Sequence, residues 1–553
     1  MTHFRPHLLF TTLLLLVSSS PPNVLLIVSD DQGFADLSLN GHPTISTPNL
    51  DSLALSPSGA HFSQFTVAAP ICSPSRSAML TGRLPLRNGV YSDAPPPIDE
   101  LFRVFYPSSK HCLNDTTLPA LLKKNKDYTT AMVGKWHLGS NLAEYCLPGD
   151  GKQGFDFFFG LPYSHEEGYP GPSPESYTFP PVPLYVNGEI VEQPFVANDL
   201  SSRYTNITNF LLKSLASPVP VDLPPTVDKI TGDKLSELNL ASRSNDPWFI
   251  HMAFENPHVP LFISDDYLEN HSPSPRGLYG DAVSEMDSII GEIISTLKKT
   301  NQLDNTLILF LSDNGAWVNP SNGLGDDGSV SPLDGGSNAP FQGGKGDTYE
   351  GGLRVPFIVK RPVADDDEQT GTTTCAFEPI RVPVSALDIL PTVLDYAGVE
   401  LPKDEVHDGV SLRALLEGEV DSLEERCLFH WRERDLYAVR CGRLKAHFIT
   451  RSGFDFKDLG TKHDPPLVFD IESDPAEKYP LAVGDQGLTQ EELDDIIDAG
   501  KKHEAEMEEG KAKSLYLAQG LDIMPCCDRE NTANNLDDIP KIWVHCTCDR
   551  QAA

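Results

Sequence analysis

What this chain has least of is positive charge. Its 553 residues carry 43 Lys and Arg against 79 Asp and Glu, a formal net charge of −36. That excludes a nucleic-acid partner, which needs a basic footprint, and argues against docking on an anionic membrane. An anionic substrate would have to be met by a local cluster of cations working against the overall field. Most of the carboxylates read as solubilising surface charge, and the run Asp365–Glu368 as a solvated loop. Also missing, beyond the first residues, is any apolar run long enough to cross a bilayer, so no transmembrane anchor is expected. The one N-terminal run, Leu8 to Val17, is too short to span and is followed by Ser18, Ser19 and Ser20. Residues 1–20 therefore read as a signal peptide, and the chain is expected in the secretory pathway, lysosomal or extracellular. Acceptor triplets for N-glycosylation at Asn114, Asn206 and Asn270 agree with that route. No internal repeat is present.

In an oxidising compartment cysteines tend to pair. The ten are Cys72, Cys112, Cys146, Cys375, Cys427, Cys441, Cys526, Cys527, Cys546 and Cys548. The last four read as a local disulfide knot, with a zinc site as the alternative.

Four short apolar runs, Val24–Val28, Thr129–Val133, Trp248–Phe254 and Leu307–Leu311, have the length and continuity of strands buried on both faces of a parallel sheet. Helical patterns lie between or beside them. Leu278–Leu297 carries Val283, Met286, Ile290, Ile293 and Leu297 on one stripe, and Ser385–Ala397 is opened by Ser385 and stopped by Gly398. This alternation predicts an α/β fold built on a large, mostly parallel mixed sheet flanked by helices. Leu161–Asp246 reads as long loops with weak strand signals, and Asn319–Gly344 as another loop. From about Glu425 the pattern changes to a hairpin turning near Gly442 and an acidic helix opened by the capping box Thr489–Glu492. The expected division is a catalytic unit over 21–425 and a smaller C-terminal α+β domain with an antiparallel sheet and a Cys-rich tail over 426–553.

Each strand-like run is followed by polar groups, at the end where open α/β sheets bind ligands. Asp30 and Asp31 follow the first run, and Asp313 and Asn314 follow Leu307–Leu311. Four oxygen donors from two strand ends suit a hard cation, Ca²⁺ or Mg²⁺. Lys135 and His137 follow Thr129–Val133, His258 follows Trp248–Phe254, and Lys345 lies in a Gly-rich loop. The lysines would neutralise an oxyanion group and the histidines move protons near neutral pH.

The stretch Cys72-Ser73-Pro74-Ser75-Arg76, followed by Leu80-Thr81-Gly82-Arg83, resembles the signature of the type I sulfatases. "GKWHLG" at Gly134–Gly139 is similar to their second signature, and "SDDQG", "SDNGA", "GKGDTYEGGLRVP" and "SALDILPTVLDYAG" follow in order and spacing. "PYSHEEG" at Pro162–Gly168, "LKAHFIT" at Leu444–Thr450 and "PPLVFDIESDPAEKYPL" resemble most the arylsulfatase A and N-acetylgalactosamine-6-sulfatase branch. The resemblance implies an alkaline-phosphatase-like sulfatase fold and hydrolysis of sulfate monoesters, on aryl sulfates and on sulfated galactose or N-acetylgalactosamine in glycolipid or glycosaminoglycan. It implies that Cys72 is oxidised to Cα-formylglycine (3-oxoalanine) by a formylglycine-generating enzyme during secretion. The hydrate would be the nucleophile and touch one Ca²⁺ held by Asp30, Asp31, Asp313 and Asn314. Arg76 would hold the charge of residue 72, and Lys135 and Lys345 would grip the sulfate. His137 would bond the hydrate, His258 would bind sulfate and protonate the leaving alcohol, and Ser164 would contact the sulfate.

Two other readings compete. A phosphomonoesterase or phosphodiesterase of the same superfamily would place a hydroxyl at 72 and a histidine at 314; Cys72 and Asn314 speak against both. A non-catalytic secreted binding protein on this scaffold would require that Cys72 is never oxidised. A homo-oligomer is left open. If Cys72 is converted, nine cysteines remain, and at least one more stays free or pairs between chains.

Overall fold

The computed structural model describes residues 21–92, 111–140, 146–168, 180–244, 246–320, 330–363, 378–453, 458–515 and 548–549. The expected signal peptide, the acidic run at 365–368, Cys375 and Cys526, Cys527 and Cys546 of the expected terminal knot lie outside these residues.

The described strands are β1 (Asn23–Ser29), β2 (Gly59–His61), β3 (Phe65–Thr66), β4 (Thr129–Gly134), β5 (Phe157–Gly160), β6 (Leu184–Val186), β7 (Glu189–Gln193), β8 (Trp248–Ala253), β9 (Thr306–Ser312), β10 (Phe357–Lys360), β11 (Val384–Ser385), β12 (Cys427–Arg432), β13 (Asp435–Cys441), β14 (Leu444–Thr450), β15 (Thr461–Asp470) and β16 (Cys548–Asp549). The main sheet runs β16-β7-β6-β5-β4-β8-β1-β9-β10-β2. Its centre, β5-β4-β8-β1-β9, is parallel, and antiparallel strands flank it on both sides. All four apolar runs fall on these parallel strands, as their two-sided burial requires. In β1, Val24, Leu26 and Val28 face one core while Leu25 and Ile27 face the other.

The helices are α1 (Pro48–Ala54), α2 (Cys72–Thr81), α3 (Pro85–Asn88), α4 (Leu118–Lys126), α5 (Ala197–Leu215), α6 (Lys229–Glu237), α7 (Asp265–Asn270), α8 (Leu278–Lys299), α9 (Glu350–Leu353), α10 (Ile389–Ala397), α11 (Arg413–Leu416) and α12 (Gln490–Gly510). Helices α2, α4 and α10 cover the face of Val24, and α1, α5 and α8 the face of Leu25. On α8 the expected stripe is buried: Met286, Ile290, Ile293 and Leu297 face the sheet, while Val283 packs with Ile45 and Tyr279. Ser385 caps a short 3₁₀ turn, Ala386–Asp388, that leads into α10.

The loop expectation for Leu161–Asp246 is wrong. The segment holds the β6–β7 hairpin, α6 and the 19-residue α5. Helix α5 buries Leu200, Tyr204, Ile207, Leu211 and Leu215, a helical spacing concealed by the intervening Ser, Thr and Asn. Asn206 therefore sits half-buried within α5, whereas Asn114 and Asn270, the last residue of α7, are exposed.

The C-terminal β12-β13-β14-β15 sheet is antiparallel, turns between β13 and β14 at Gly442 and packs α12 through Leu493, Ile496 and Met507. The same core reaches Ala78 of α2, Leu84 at the N-cap of α3 and Leu86 within it. Cys427 and Cys441 are disulfide-bonded across the sheet, and Cys112 bonds Cys146; Cys72 is a free, buried thiol. No helix among the described residues is long and apolar enough to cross a membrane.

His503 of α12 stacks on Phe429 at 3.6 Å, and burial, aided by the charge of Arg87, pushes its pKa down to about 4 from 6.5. The unfolded chain takes up a proton below pH 6.5 that the folded chain refuses, so this group costs stability as pH falls. The melting temperature of His503→Gln is therefore expected to drop less than that of wild type between about pH 7 and pH 5. An equal drop in both would contradict the assignment.

Candidate active site

The strand ends deliver the site. β1 runs into Asp30 and Asp31, β9 into Asp313 and Asn314, β4 into Lys135 and His137, β8 into Glu255 and His258, and β5 leads on to Ser164. Strand β4 can approach β8 this closely because residue 134 is glycine at φ 113°, where a Cβ would lie 1.8 Å from the Ala253 carbonyl. Cys72 opens α2, with Ile71 as its extended N-cap. The helix thus begins at Cys72 itself, Pro74 being tolerated in a first turn that needs no intrahelical N–H. Residue 72 stands at the positive end of the helix dipole.

The charges interlock. The Arg76 guanidinium spans Asp313 and Asp30: Nε donates to Asp313 Oδ2 at 3.0 Å, and Nη2 lies 2.8 Å from Asp313 Oδ2 and 3.5 Å from Asp30 Oδ1. Lys135 Nζ donates to Asp30 Oδ2 at 2.5 Å and to Ser164 Oγ at 3.0 Å. Lys345 Nζ lies 2.7 Å from Asp31 Oδ2 and 2.8 Å from His258 Nε2, and 5.3 Å from the centre of the Trp317 ring. Cys72 Sγ sits 3.6 Å from Asp30 Oδ1. All eleven of these predicted positions, Asp30, Asp31, Cys72, Arg76, Lys135, His137, Ser164, His258, Asp313, Asn314 and Lys345, are buried. Two stand in the left-handed region, Asp31 at φ 62° and His137 at φ 55°, a strained backbone that a fold retains where the surroundings dictate it.

Burial works against the ionised form of Asp30, yet Lys135, His258, Arg76 and Lys345 hold it well below the usual carboxylate range. Burial and the neighbouring Asp30 charge raise Asp313 to about 6. His137 is pushed well down by burial and by Lys135 and Arg76, so it is neutral. Burial also disfavours protonated His258, but Glu166 outweighs it and raises the pKa. Glu166 was not singled out from the sequence. It accepts from Ser164 Oγ at 2.7 Å and lies 2.9 Å from His258 Nδ1. Its neighbour Glu167 lies 3.7 Å from His137 Nε2. The only signal for either was adjacency to Ser164 in "PYSHEEG".

A hard cation fits these residues. Ligand atoms of Asp30, Asp31, Cys72 and His258 lie within 4.8 Å of one another. Asn314 donates from Nδ2 to Asp31 Oδ1 at 2.7 Å, while its buried Oδ1 accepts no hydrogen bond, as expected of a carbonyl oxygen reserved for a cation. Asp313 is more engaged: Oδ1 accepts from the Asp31 N–H and Oδ2 from Arg76. Both ring nitrogens of His137 are buried and without a hydrogen bond.

Residues 22–399 match the Sulfatase family model, and residues 423–549 match the model of the C-terminal region of aryl-sulfatase. The chain belongs to the sulfatase family. It is a sulfuric ester hydrolase of the arylsulfatase type. Human Arylsulfatase A is 32% identical over 495 residues, 84% of each chain. The Arylsulfatase of Hemicentrotus pulcherrimus is 32% identical, covering 91% of this chain and 84% of its own. The N-acetylgalactosamine-6-sulfatase of Canis lupus familiaris is 34% identical, over 82% of this chain and 80% of its own. Among solved structures, PsFucS1 sulfatase from Pseudoalteromonas sp. superposes with a TM-score of 0.67 at 25% identity, covering 90% of this chain and 92% of that one. Ps i-CgsB in complex with k-i-k-neocarrahexaose gives 0.65 at 27% identity, over 94% and 100%.

Lys135 is the ammonium on which Asp30 and Ser164 converge. Lys135→Ala is expected to lower kcat/KM for a small aryl sulfate by about 100-fold or more, with the circular dichroism spectrum unchanged. A loss within about threefold would show that Lys135 is not part of the working site.

Proposed function

We propose that this sulfatase hydrolyses sulfate monoesters of galactose or N-acetylgalactosamine, in a glycolipid or glycosaminoglycan, and small aryl sulfates as artificial substrates. It does so through a Cα-formylglycine made from Cys72 and one Ca²⁺. The observation that carries the reading is the setting of residue 72. Its side chain opens α2 against Asp30, while the adjacent hydroxyl, Ser73 Oγ, donates away from the site to the His137 carbonyl at 2.8 Å. As a cysteine, residue 72 would be inert: burial, outweighing Lys135 and Lys345, pushes its thiol well above the ordinary range. Oxidised and hydrated, it would supply a geminal diol, one oxygen of which attacks sulfur while the other lets the bound sulfate leave as the aldehyde reforms.

The surrounding residues have roles that follow from their positions. Arg76 would fix Asp30 and Asp313 and offset their charge. Lys135, Lys345 and Ser164 would receive the sulfate oxygens. His258, with Nδ1 on Glu166 and Nε2 beside Lys345, would carry the proton to the leaving alcohol. Neutral His137, whose ring nitrogens make no hydrogen bond, would take the proton from residue 72. Asp30, Asp31, Asp313 and Asn314, completed by residue 72, would hold Ca²⁺, which supplies Lewis-acid charge to the sulfate oxygens. Without a cation, the carboxylates of Asp30, Asp31, Asp313 and Glu166 face Arg76, Lys135 and Lys345; a dication would make the site net positive for an anionic ester. A sulfated sugar is supported by the relatives named N-acetylgalactosamine-6-sulfatase and by the oligosaccharide in the Ps i-CgsB complex. Conversion of Cys72 requires a formylglycine-generating enzyme, and the chain would end in the lysosome or outside the cell.

Cys72→Ser tests the chemistry. A serine can attack once but leaves a stable sulfate ester, so the variant is expected to gain the mass of one SO₃ and to lose at least about 1,000-fold in steady-state turnover. Full turnover in Cys72→Ser would contradict the reading. Exhaustive treatment with EDTA is expected to abolish aryl sulfate hydrolysis, and Ca²⁺ but not Zn²⁺ to restore it, as an oxygen-rich donor set selects. Undiminished activity after chelation would remove the cation from the account.

A further inference from the structure

The loop that carries Lys345 is built partly on the C-terminal sheet. Glu350, fully buried at the start of α9, accepts from Lys445 Nζ of β14 at 2.9 Å and from Arg354 Nε at 2.5 Å. Its backbone N–H donates to Glu477 Oε2 at 2.6 Å. Glu477 in turn meets Lys445 Nζ at 3.0 Å and His447 Nε2 at 2.7 Å, and it too is buried. Nearer Lys345, Gly453, just beyond β14, lies against the loop so closely that a Cβ there would sit 2.3 Å from the Lys345 carbonyl. On the other side the Gly346 N–H donates to the Pro70 carbonyl at 2.8 Å, two residues before Cys72, and the Lys345 N–H to the Ala316 carbonyl at 3.0 Å. The backbone of Lys345 is thus held between the segment that carries the nucleophile and the C-terminal sheet.

We infer that Lys445, Glu477 and Gly453 are positioning residues: the C-terminal sheet sets the place of the Lys345 ammonium. Removing one partner of such a buried network leaves uncompensated charge next to the loop. A shift of about 1 Å in a gripping group costs binding and rate together. The inference rests on the reading that Lys345 binds sulfate, and it assigns the C-terminal domain a part in the site that its distance in sequence does not suggest.

The test measures KM for a small aryl sulfate and the inhibition constant of inorganic sulfate in the full-length enzyme. Lys345→Ala, Lys445→Met, Lys445→Arg and Gly453→Ala are compared with wild type, with melting temperatures taken in parallel. The expected result is a rise of about tenfold or more in both constants for Lys345→Ala, Lys445→Met and Gly453→Ala, with partial recovery in Lys445→Arg. If Lys445→Met does not fold, Gly453→Ala, which removes no charge, decides by the same readout. Unchanged constants in Lys345→Ala would overturn the sulfate-binding reading and the inference with it. A large rise in Lys345→Ala beside constants within about twofold of wild type in the sheet variants, whatever their melting temperatures, overturns the inference alone.

Discussion

The structure depends on compensating buried charge at the carboxyl end of the sheet. Asp30, Asp31 and Asp313 are each 3% exposed or less and come from two adjacent strands. Left alone they would repel one another in a low-dielectric setting and take up protons. Arg76, Lys135 and Lys345, from a helix, a strand end and a loop, face them within hydrogen-bonding distance. Each cation is itself too buried to be tolerated without the carboxylates. The fold around the site is therefore also the assembly of these pairs, in a chain whose overall charge is strongly negative.

That constraint explains the arrangement of elements. Parallel strands bring several chain ends to one side, and covering both faces with helices keeps that side the accessible one. Residue 72 opens a helix, so the N-terminal N–H groups of α2 add to the positive field. The C-terminal sheet packs behind α2 and α3 through Ala78, Leu84 and Leu86 and reaches the Lys345 loop through Lys445 and Glu477. It thus touches two of the segments that make the site.

Much of this was legible in the sequence. Strands buried on both faces leave continuous apolar runs, and the polar residues at their ends were visible because the runs fix where each strand stops. Helix α8 showed its stripe because its exposed face is plainly polar. Helix α5 did not, since Ser, Thr and Asn fill the gaps between its apolar positions and proline and glycine dominate the flanking segments. Glu166 and Glu167 escaped notice because carboxylates beside a proposed sulfate contact look out of place until His258 and His137 are seen beside them. The Glu350–Lys445–Glu477 network joins residues about a hundred positions apart, and no local pattern marks such pairs.

The central claim is that residue 72 acts as an aldehyde and not as a thiol. Mass spectrometry of the peptide spanning Cys72, taken from protein recovered after passage through a secretory pathway, tests it most directly. The account predicts the aldehyde mass at residue 72, trapped by a hydrazine reagent. A free thiol or a disulfide at that position in catalytically active protein would contradict it.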